Sequence, residues 1–252
     1  STAIVHPKAK IADNVEIGPY CIISENVKIG EGTKVYQHAV IEGYTTIGKN
    51  NKIFQSAVIG TPGQDLKFKG EKTFLEIGDN NIFREFVTVH IASGEGNKTI
   101  IGNDCFFMAT AHIGHNSIIG NGVTLVNGVG VGGHVVIEDK AFISAYCPIH
   151  QFVKVGRLAM IGMSSPIEKD VTPYILGVGN PFKVYGLNKV GLERSNISEE
   201  IKDSLKKVYS IIFRSGLNTT QSIEKIKKEV KSNEYVNHFI EFIESSKRGI
   251  YK

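Results

Sequence analysis

Isoleucine or valine returns every sixth residue through most of the first two thirds of the chain, with a small residue four places after it. From Ile11 the segments read IADNVE, IGPYCI, ISENVK, IGEGTK, VYQHAV, IEGYTT, IGKNNK and IFQSAV. The register breaks after Ile59, returns at Ile77 (IGDNNI, FREFVT), breaks near Ser93, and runs again from Ile101 to Ile167. A period of six matches neither the helical 3.6 nor the simple strand alternation of 2. It fits a coil of three short parallel strands, one hexapeptide per side, stacked into a triangular prism. The branched residue fills the interior, and the residue four later packs where the chain turns a corner, so it is small. The rule holds through about two dozen repeats, which predicts a hexapeptide-repeat parallel β-helix.

Composition narrows the class. The 252 residues suffice for one large domain or two modest ones. The first residue is Ser1 rather than methionine, which points to a processed or trimmed start. No charged-then-apolar leader and no run of 18 apolar residues is present, so neither secretion nor a membrane span is expected. Cys21, Cys105 and Cys147 each fall in the small slot of their hexapeptide, which makes them packing residues rather than a disulfide set, metal cluster or nucleophile. Free thiols without a leader suggest a reducing cytoplasm. Residues 181–252 carry a net charge of +5, whereas residues 1–180 carry −1. A near-neutral solenoid with a basic tail suits an anionic partner near the C-terminal end, although a solvated helical surface accounts for the same charge.

Two insertions interrupt the solenoid, TPGQDLKFKGEKTFLE at 61–76 and IASGEGNK at 91–98. Loops that leave a rigid scaffold and return to it are where binding residues concentrate. The β-helix is expected over residues 1–180, with TPYILGVGNP supplying the punctuation after the last repeats. Residues 181–252 are expected to form a C-terminal α-helical domain. Ser198 with Glu199 and Glu200 reads as the start of a helix over about 199–215, Asn218 caps a second to about 231, and a third covers about 233–246. The flat sides and open coil ends of such a prism favour self-assembly.

Six of the eight histidines lie after Gln37 in the prism or its loops. With 18 residues per coil, the hexapeptides from Ile113, Val131 and Ile149 stack on one side, which predicts a column of His115, His134 and His150. His112 is expected at the corner before Ile113, and His90 just before the second insertion. Outward solenoid slots have little need of histidine for packing, so this edge is the candidate functional site. A general base near neutral pH would use it. A zinc ion held by three histidines, as in the γ-type carbonic anhydrases, is the competing chemistry. The tight His112-Ile-Gly-His115 spacing and the lack of a long acidic loop argue against that metal.

The insertion QDLKFKG, then IGDNNIFREFVTVH, AHIGH, GGHV, IHQF, DVTPY, GNP, GLN and the ending RGIYK together resemble the UDP-N-acetylglucosamine acyltransferase family. The resemblance covers essentially the whole chain. It implies a trimeric left-handed β-helix that moves a 3-hydroxyacyl chain from acyl carrier protein to the 3-position of the UDP-linked sugar, the first step of lipid A assembly. It implies His115 as general base and the Gly133 N–H as oxyanion donor. His112, His134 and Gln151 match sugar-nucleotide or acyl contacts, and His150 an additional active-site position. Gln64, Asp65 and Lys67 match contacts to the sugar and the acyl 3-hydroxyl, while Asn188 and Arg194 match positions beside the nucleotide. His90 joins the substrate-binding set by its place on the edge. In this family each site forms between adjacent subunits, and no cofactor beyond the acyl donor is implied.

Three residues depart from the family pattern. Asn116 stands where Asp usually follows the base, and it orients the imidazole without stabilising its charged form, so it is grouped with His115 and Gly133 in the catalytic set. Ser195 replaces a common second Arg, and Val190 a frequent Glu. A weaker base is compatible with a 3-amino acceptor in place of the 3-hydroxyl. Met163 falls where glycine in some relatives lets a long chain pass, which limits the acyl group to roughly ten to twelve carbons, unless the side chain merely packs beneath the groove rim. Two other readings remain open: a CoA-dependent N-acyltransferase of a nucleotide-linked amino sugar, and a non-catalytic scaffold. No nucleic-acid module is visible.

Overall fold

Each hexapeptide contributes a strand of two residues, the first facing out and the second, Ile or Val, facing the interior. In this computed structural model, which describes residues 2–252, such strands form three parallel sheets of eight, eight and ten members, the last including two from the chain's C-terminal third. Ser1, and with it the reading of a trimmed start, lies outside the described residues. Register runs one coil at a time: Ile23 pairs with Ile41, Ile41 with Ile59, Ile113 with Val131 and Val131 with Ile149. These side chains are essentially solvent-free, and from the second coil onward the aliphatic triads are buried against the coils above and below, whereas Val5 in the first coil is exposed.

The corners explain the rest of the pattern. The third residue after each aliphatic adopts a left-handed conformation at most corners, for example Asn14 at φ 57°, Asn50 at 55° and His134 at 59°. For a residue with a Cβ this costs about 1–2 kcal/mol, and the ladder bonds of both flanking strands hold it there. One residue later comes the small slot. Its polar occupants donate to a carbonyl of the next coil: Thr33 Oγ1 to Gly48 O at 3.0 Å, Ser117 Oγ to Gly132 O at 3.0 Å, and the Cys21, Cys105 and Cys147 thiols to Tyr36, Gly120 and Gly162 carbonyls at 3.0–3.1 Å. Burial pushes the Cys105 thiol up to about 11, so it stays protonated. All three cysteines are free and buried.

The insertions are shorter than the broken period suggests. Strands Val58–Thr61 and Phe74–Ile77 reach into the first, and Lys98–Ile101 takes the last residue of the second. Phe74, Leu75 and Glu76, assigned above to a loop, pair on both sides, with Tyr44–Thr46 and with Lys98–Ile100. The excursions, 62–73 and 91–97, are zipped together: Glu71 accepts the Gly94 and Lys69 N–H groups, both at 2.7 Å, and Glu95 accepts the Lys72 N–H at 3.0 Å.

The boundary near residue 180 also moves. After the last regular coil, strands Ile175–Val178 and Lys183–Leu187 form an antiparallel hairpin that extends the third sheet past residue 181. A short helix α1 (Lys189–Arg194), unsignalled by the sequence, precedes α2 (Glu199–Arg214), α3 (Thr219–Glu229) and α4 (Glu234–Glu244). Ser198, Asn218 and Asn233 cap the longer three, each side chain accepting a backbone N–H of the first turn. The helices close the end of the prism through buried polar ties. Tyr174 Oη lies 2.8 Å from His238 Nδ1, His238 Nε2 lies 3.0 Å from Glu138, and Ser246 donates to the buried Asp170 at 2.6 Å. No helix among the described residues is long and apolar enough to cross a membrane.

Candidate active site

The first sheet ends its strands at Thr88–His90, His112–Ile113, Gly130–Val131 and Pro148–Ile149, and the corner that follows holds the histidine edge. His112 belongs to a strand rather than to the corner, and its Nδ1 lies 2.8 Å from Thr88 Oγ1 in the neighbouring strand. His90 is buried and meets the His112 ring edge-on, with centroids 4.7 Å apart. The first insertion lies against this edge. A Cβ on Gly63 would come within 2.9 Å of His115 Cβ, so the backbone there approaches as only glycine allows.

The expected column of His115, His134 and His150 is not formed. Pairing of Ile113 with Val131 and Ile149 aligns His115 with Gly133 and Gln151, and aligns His134 with Asn116 and Phe152. The reason is arithmetic: the coil repeats at 18, whereas the histidines are spaced 19 and 16 apart, so they occupy three different corner positions. His134 instead stacks on Phe152 (4.6 Å, 12°) and meets His115 edge-on (5.3 Å, 85°). His150 is exposed, and its Nδ1 donates to the Gln151 carbonyl at 3.1 Å. Gln151 is exposed beside it.

Glycine at 133 is required by space rather than by backbone angle. A Cβ there would lie 2.5 Å from His115 Nε2 and 2.7 Å from Cε1. Its N–H has no acceptor among the described residues. At the equivalent position of another corner, the N–H groups of Lys49, Asp79, Asn103 and Asn121 are each taken by an Asp or Asn of the next coil. Nε2 of His115 therefore lies against the Gly133 backbone, whose N–H is unpaired, and a base beside a free peptide donor is the pairing that acyl transfer needs.

Asp65, on the first insertion, is near enough to His115 to feel its charge. The Lys67 N–H, donated at 2.9 Å, holds its carboxyl below the usual range, against burial, with smaller help from the charge of a protonated His115 and from the Ser93 hydroxyl. Gln64 and the Lys67 side chain are exposed at the loop surface. Burial, followed by repulsion from a charged His115, lowers the pKa values of His112 and His134. His90 is held lowest, at about 4, by burial and then by its two histidine neighbours. Asp65 is thus a carboxylate close enough to His115 for opposite charges on the two to stabilise each other. Among the described residues no three His, Cys, Asp or Glu side chains are arranged to hold a metal ion.

The His90 value carries a stability consequence. Its unfolded-state value is 6.5 and its folded value about 4, so between these pH values the unfolded chain binds the extra proton. Stability supplied by this group is complete above 6.5 and falls as pH drops toward 4, by about 3 kcal/mol in all. Urea unfolding of His90→Gln across this range is expected to show a correspondingly flatter pH dependence than the parent; an unchanged slope would contradict the buried neutral histidine.

Asn188, Arg194 and Met163 lie elsewhere on the same chain. Asn188 is buried, accepts the Gly191 N–H at 3.0 Å to cap α1, and donates to Leu158 O at 2.8 Å, so its amide shapes the wall rather than reaching outward. With Arg194, which is exposed at the end of α1, it borders a cleft of about 480 Å³ floored by Phe142, Met160 and Leu176 of the third sheet. Met163 is 61 % exposed at the corner after that sheet. The His115 corner lies opposite that face of the prism, so one chain does not bring the two groups together. Phe152 and Ser93 contribute to the histidine edge without having been anticipated. Phe152 is signalled only by the 18-residue offset from His134, and Ser93 by nothing in the sequence.

Comparison with known proteins adds to this geometry. The family described as Udp N-acetylglucosamine O-acyltransferase, domain 2, matches residues 170–251, and the bacterial transferase hexapeptide family matches residues 8–43 and 98–133. Acyl-[acyl-carrier-protein]--UDP-N-acetylglucosamine O-acyltransferase of Thermodesulfovibrio yellowstonii is 49 % identical over 250 residues, covering 99 % of this chain and 97 % of the relative. The same-named protein of Anaeromyxobacter dehalogenans is 47 % identical with the same coverage. The crystal structure of UDP-N-acetylglucosamine acyltransferase from Bacteroides fragilis superposes with TM-score 0.97 at 41 % identity, covering 100 % of this chain and 98 % of the other. The Acinetobacter baumannii structure gives 0.97 at 44 %, with the same coverage.

Proposed function

We propose, from the premise that this chain belongs to the UDP-N-acetylglucosamine O-acyltransferase family, a reaction in which His115 and Gly133 transfer a 3-hydroxyacyl group from acyl carrier protein to the 3-position of the UDP-sugar. The observation that carries this reading is the close approach of His115 Nε2 to the Gly133 backbone, whose N–H is unpaired among the described residues. Nε2 removes the proton from the sugar 3-hydroxyl as its oxygen attacks the thioester carbonyl. The tetrahedral oxyanion accepts the Gly133 N–H. Collapse forms the sugar ester, breaks the C–S bond, and returns the proton from His115 to the departing carrier-protein sulfur. Asp65 offsets the charge on His115 in between. Asn116 contacts His115 but none of the reacting atoms in this scheme, and is a positioning residue. No cofactor beyond the acyl donor is needed, and the medium proposed for the reaction is the cytoplasm.

The separation of His115 from the Asn188–Arg194 cleft supports a homotrimer in which one subunit's histidine edge faces the next subunit's cleft. Gln64, Lys67, His90, His112, His134, His150 and Gln151 would then meet the sugar and acyl chain, and Arg194 the pyrophosphate. The basic helical domain suits an acidic carrier protein. The finer assignments are a donor of about ten to twelve carbons and a 3-hydroxy or 3-amino acceptor, the latter motivated by Asn116.

The test is a transfer assay with a ladder of 3-hydroxyacyl carrier proteins against UDP-N-acetylglucosamine and its 3-amino analogue, with acyl-CoA as the competing donor. Product from carrier-protein donors is the expected result, and product from CoA alone would favour an amino-sugar N-acyltransferase. Transfer only to the 3-hydroxy sugar would end the 3-amino reading. Met163→Gly is expected to move the preferred donor to longer chains, because it removes the side chain that would fill the groove; an unmoved preference would mean Met163 only packs at the rim.

A further inference from the structure

The Asn116 side chain grips one peptide group from both ends. Its Oδ1 accepts the Ser93 N–H at 2.9 Å, and its Nδ2 donates to the Ser93 carbonyl at 3.0 Å. A peptide N–H only donates and a carbonyl only accepts, so a single orientation of the amide satisfies both. The Ser93 carbonyl also accepts Asn97 Nδ2 at 2.9 Å, which uses its second lone pair and fixes that end of the clasp. Asn116 is anchored independently through its own N–H, donated to Thr99 Oγ1 at 2.9 Å.

The same Oδ1 lies 2.8 Å from His115 Nδ1. An amide oxygen has no proton to give, so this contact is a hydrogen bond only when Nδ1 carries the hydrogen. A neutral His115 then has its lone pair on Nε2, the atom that faces Gly133. The Ser93 hydroxyl takes no part in the clasp. It is buried without a hydrogen-bond partner, near enough to Asp65 to help lower its carboxyl but not bonded to it.

The geometry points to Ser93 as a positioning residue whose peptide group, acting through the Asn116 amide, sets the tautomer of His115 and so makes Nε2 the basic nitrogen. This rests on the reading of His115 as general base, and it gives the 91–97 excursion a function. That segment holds the amide that orders the base.

Nitrogen-15 NMR of the His115 imidazole in the full-length protein, at alkaline pH where imidazoles are neutral, reads the tautomer without reference to turnover. The Nδ1–H form is expected in the parent protein, although free neutral histidine favours Nε2–H. Asn116→Ala, which removes the clasp, should return His115 to the Nε2–H form and lower kcat with little change in KM for the sugar nucleotide. Ser93→Pro removes the N–H half of the clasp and should shift the tautomer balance about fivefold, the worth of one hydrogen bond. An Nε2–H parent protein, or Asn116→Ala retaining Nδ1–H, would overturn the inference even if Ser93→Pro fails to fold. Full activity in His115→Ala would instead overturn the general-base reading and leave the tautomer result standing. An Nε2–H tautomer in an enzyme that His115→Ala inactivates would defeat this inference alone.

Discussion

His115→Ala is expected to lower kcat for acyl transfer by about 10²–10⁴-fold, the usual contribution of a positioned general base. The thermal midpoint should change little, because the His115 ring lies outside the prism interior and its hydrogen bond to Asn116 is local. Affinity for the UDP-sugar should also be largely kept, since the proposed contacts of the nucleotide are to the distant cleft. A loss confined to kcat separates a base from a ligand-binding residue. Neighbouring histidines are poor substitutes. His90 is buried and His112 half-buried, with the pKa of both lowered by loss of solvent, and His134 is committed to its stack on Phe152. A variant that turned over at the parental rate would remove the acid–base role and return the scaffold reading to consideration.

Gly133→Ala should be nearly as damaging, through one methyl group. The added Cβ would stand 2.5 Å from His115 Nε2, closer than any real side-chain contact. The imidazole cannot yield freely: Asn116 holds it at Nδ1 and the His134 ring meets it edge-on. The methyl therefore displaces the base, blocks the proton it would take, or both, and misplacement by about 1 Å costs on the order of 10²-fold. Because Gly133 does not need a positive φ, the backbone itself accepts alanine. The expected signature is a kcat loss of at least that size in a protein of parental stability, measured by thermal unfolding beside the transfer assay. An active Gly133→Ala enzyme would show that Nε2 does not work in the space facing residue 133.

Several features were legible from residue order alone. The prism, its sheets and its free buried cysteines all follow from a rule repeated in every coil. The caps at Ser198 and Asn218 were legible for the same local reason, since a side chain three residues from its N–H partner needs no distant information. The histidine edge was visible, but its internal arrangement was misjudged. Stacking by coil placed His115, His134 and His150 on one side correctly, yet only position within the corner decides which rings touch, and a two-residue offset exchanged His150 for Phe152.

The sequence by itself determined the repeat. A hexapeptide's outward residue, inward aliphatic and small corner residue meet the same partners one coil away every time, so a short-range pattern specifies a long structure. What the tertiary structure decided has no period. The path of the 62–73 and 91–97 excursions, the approach of Gly63 and Asp65 to His115, and the grip of Ser93 on Asn116 depend on contacts between segments that share no register. The lowered pKa of His90 likewise arises from burial that no neighbour in sequence supplies. The capping of α1 by Asn188 and the cleft beside it exist only because the chain's end folds back on the third sheet. Periodic contacts are written locally and can be read locally; a site assembled from aperiodic segments is fixed only when the whole chain packs.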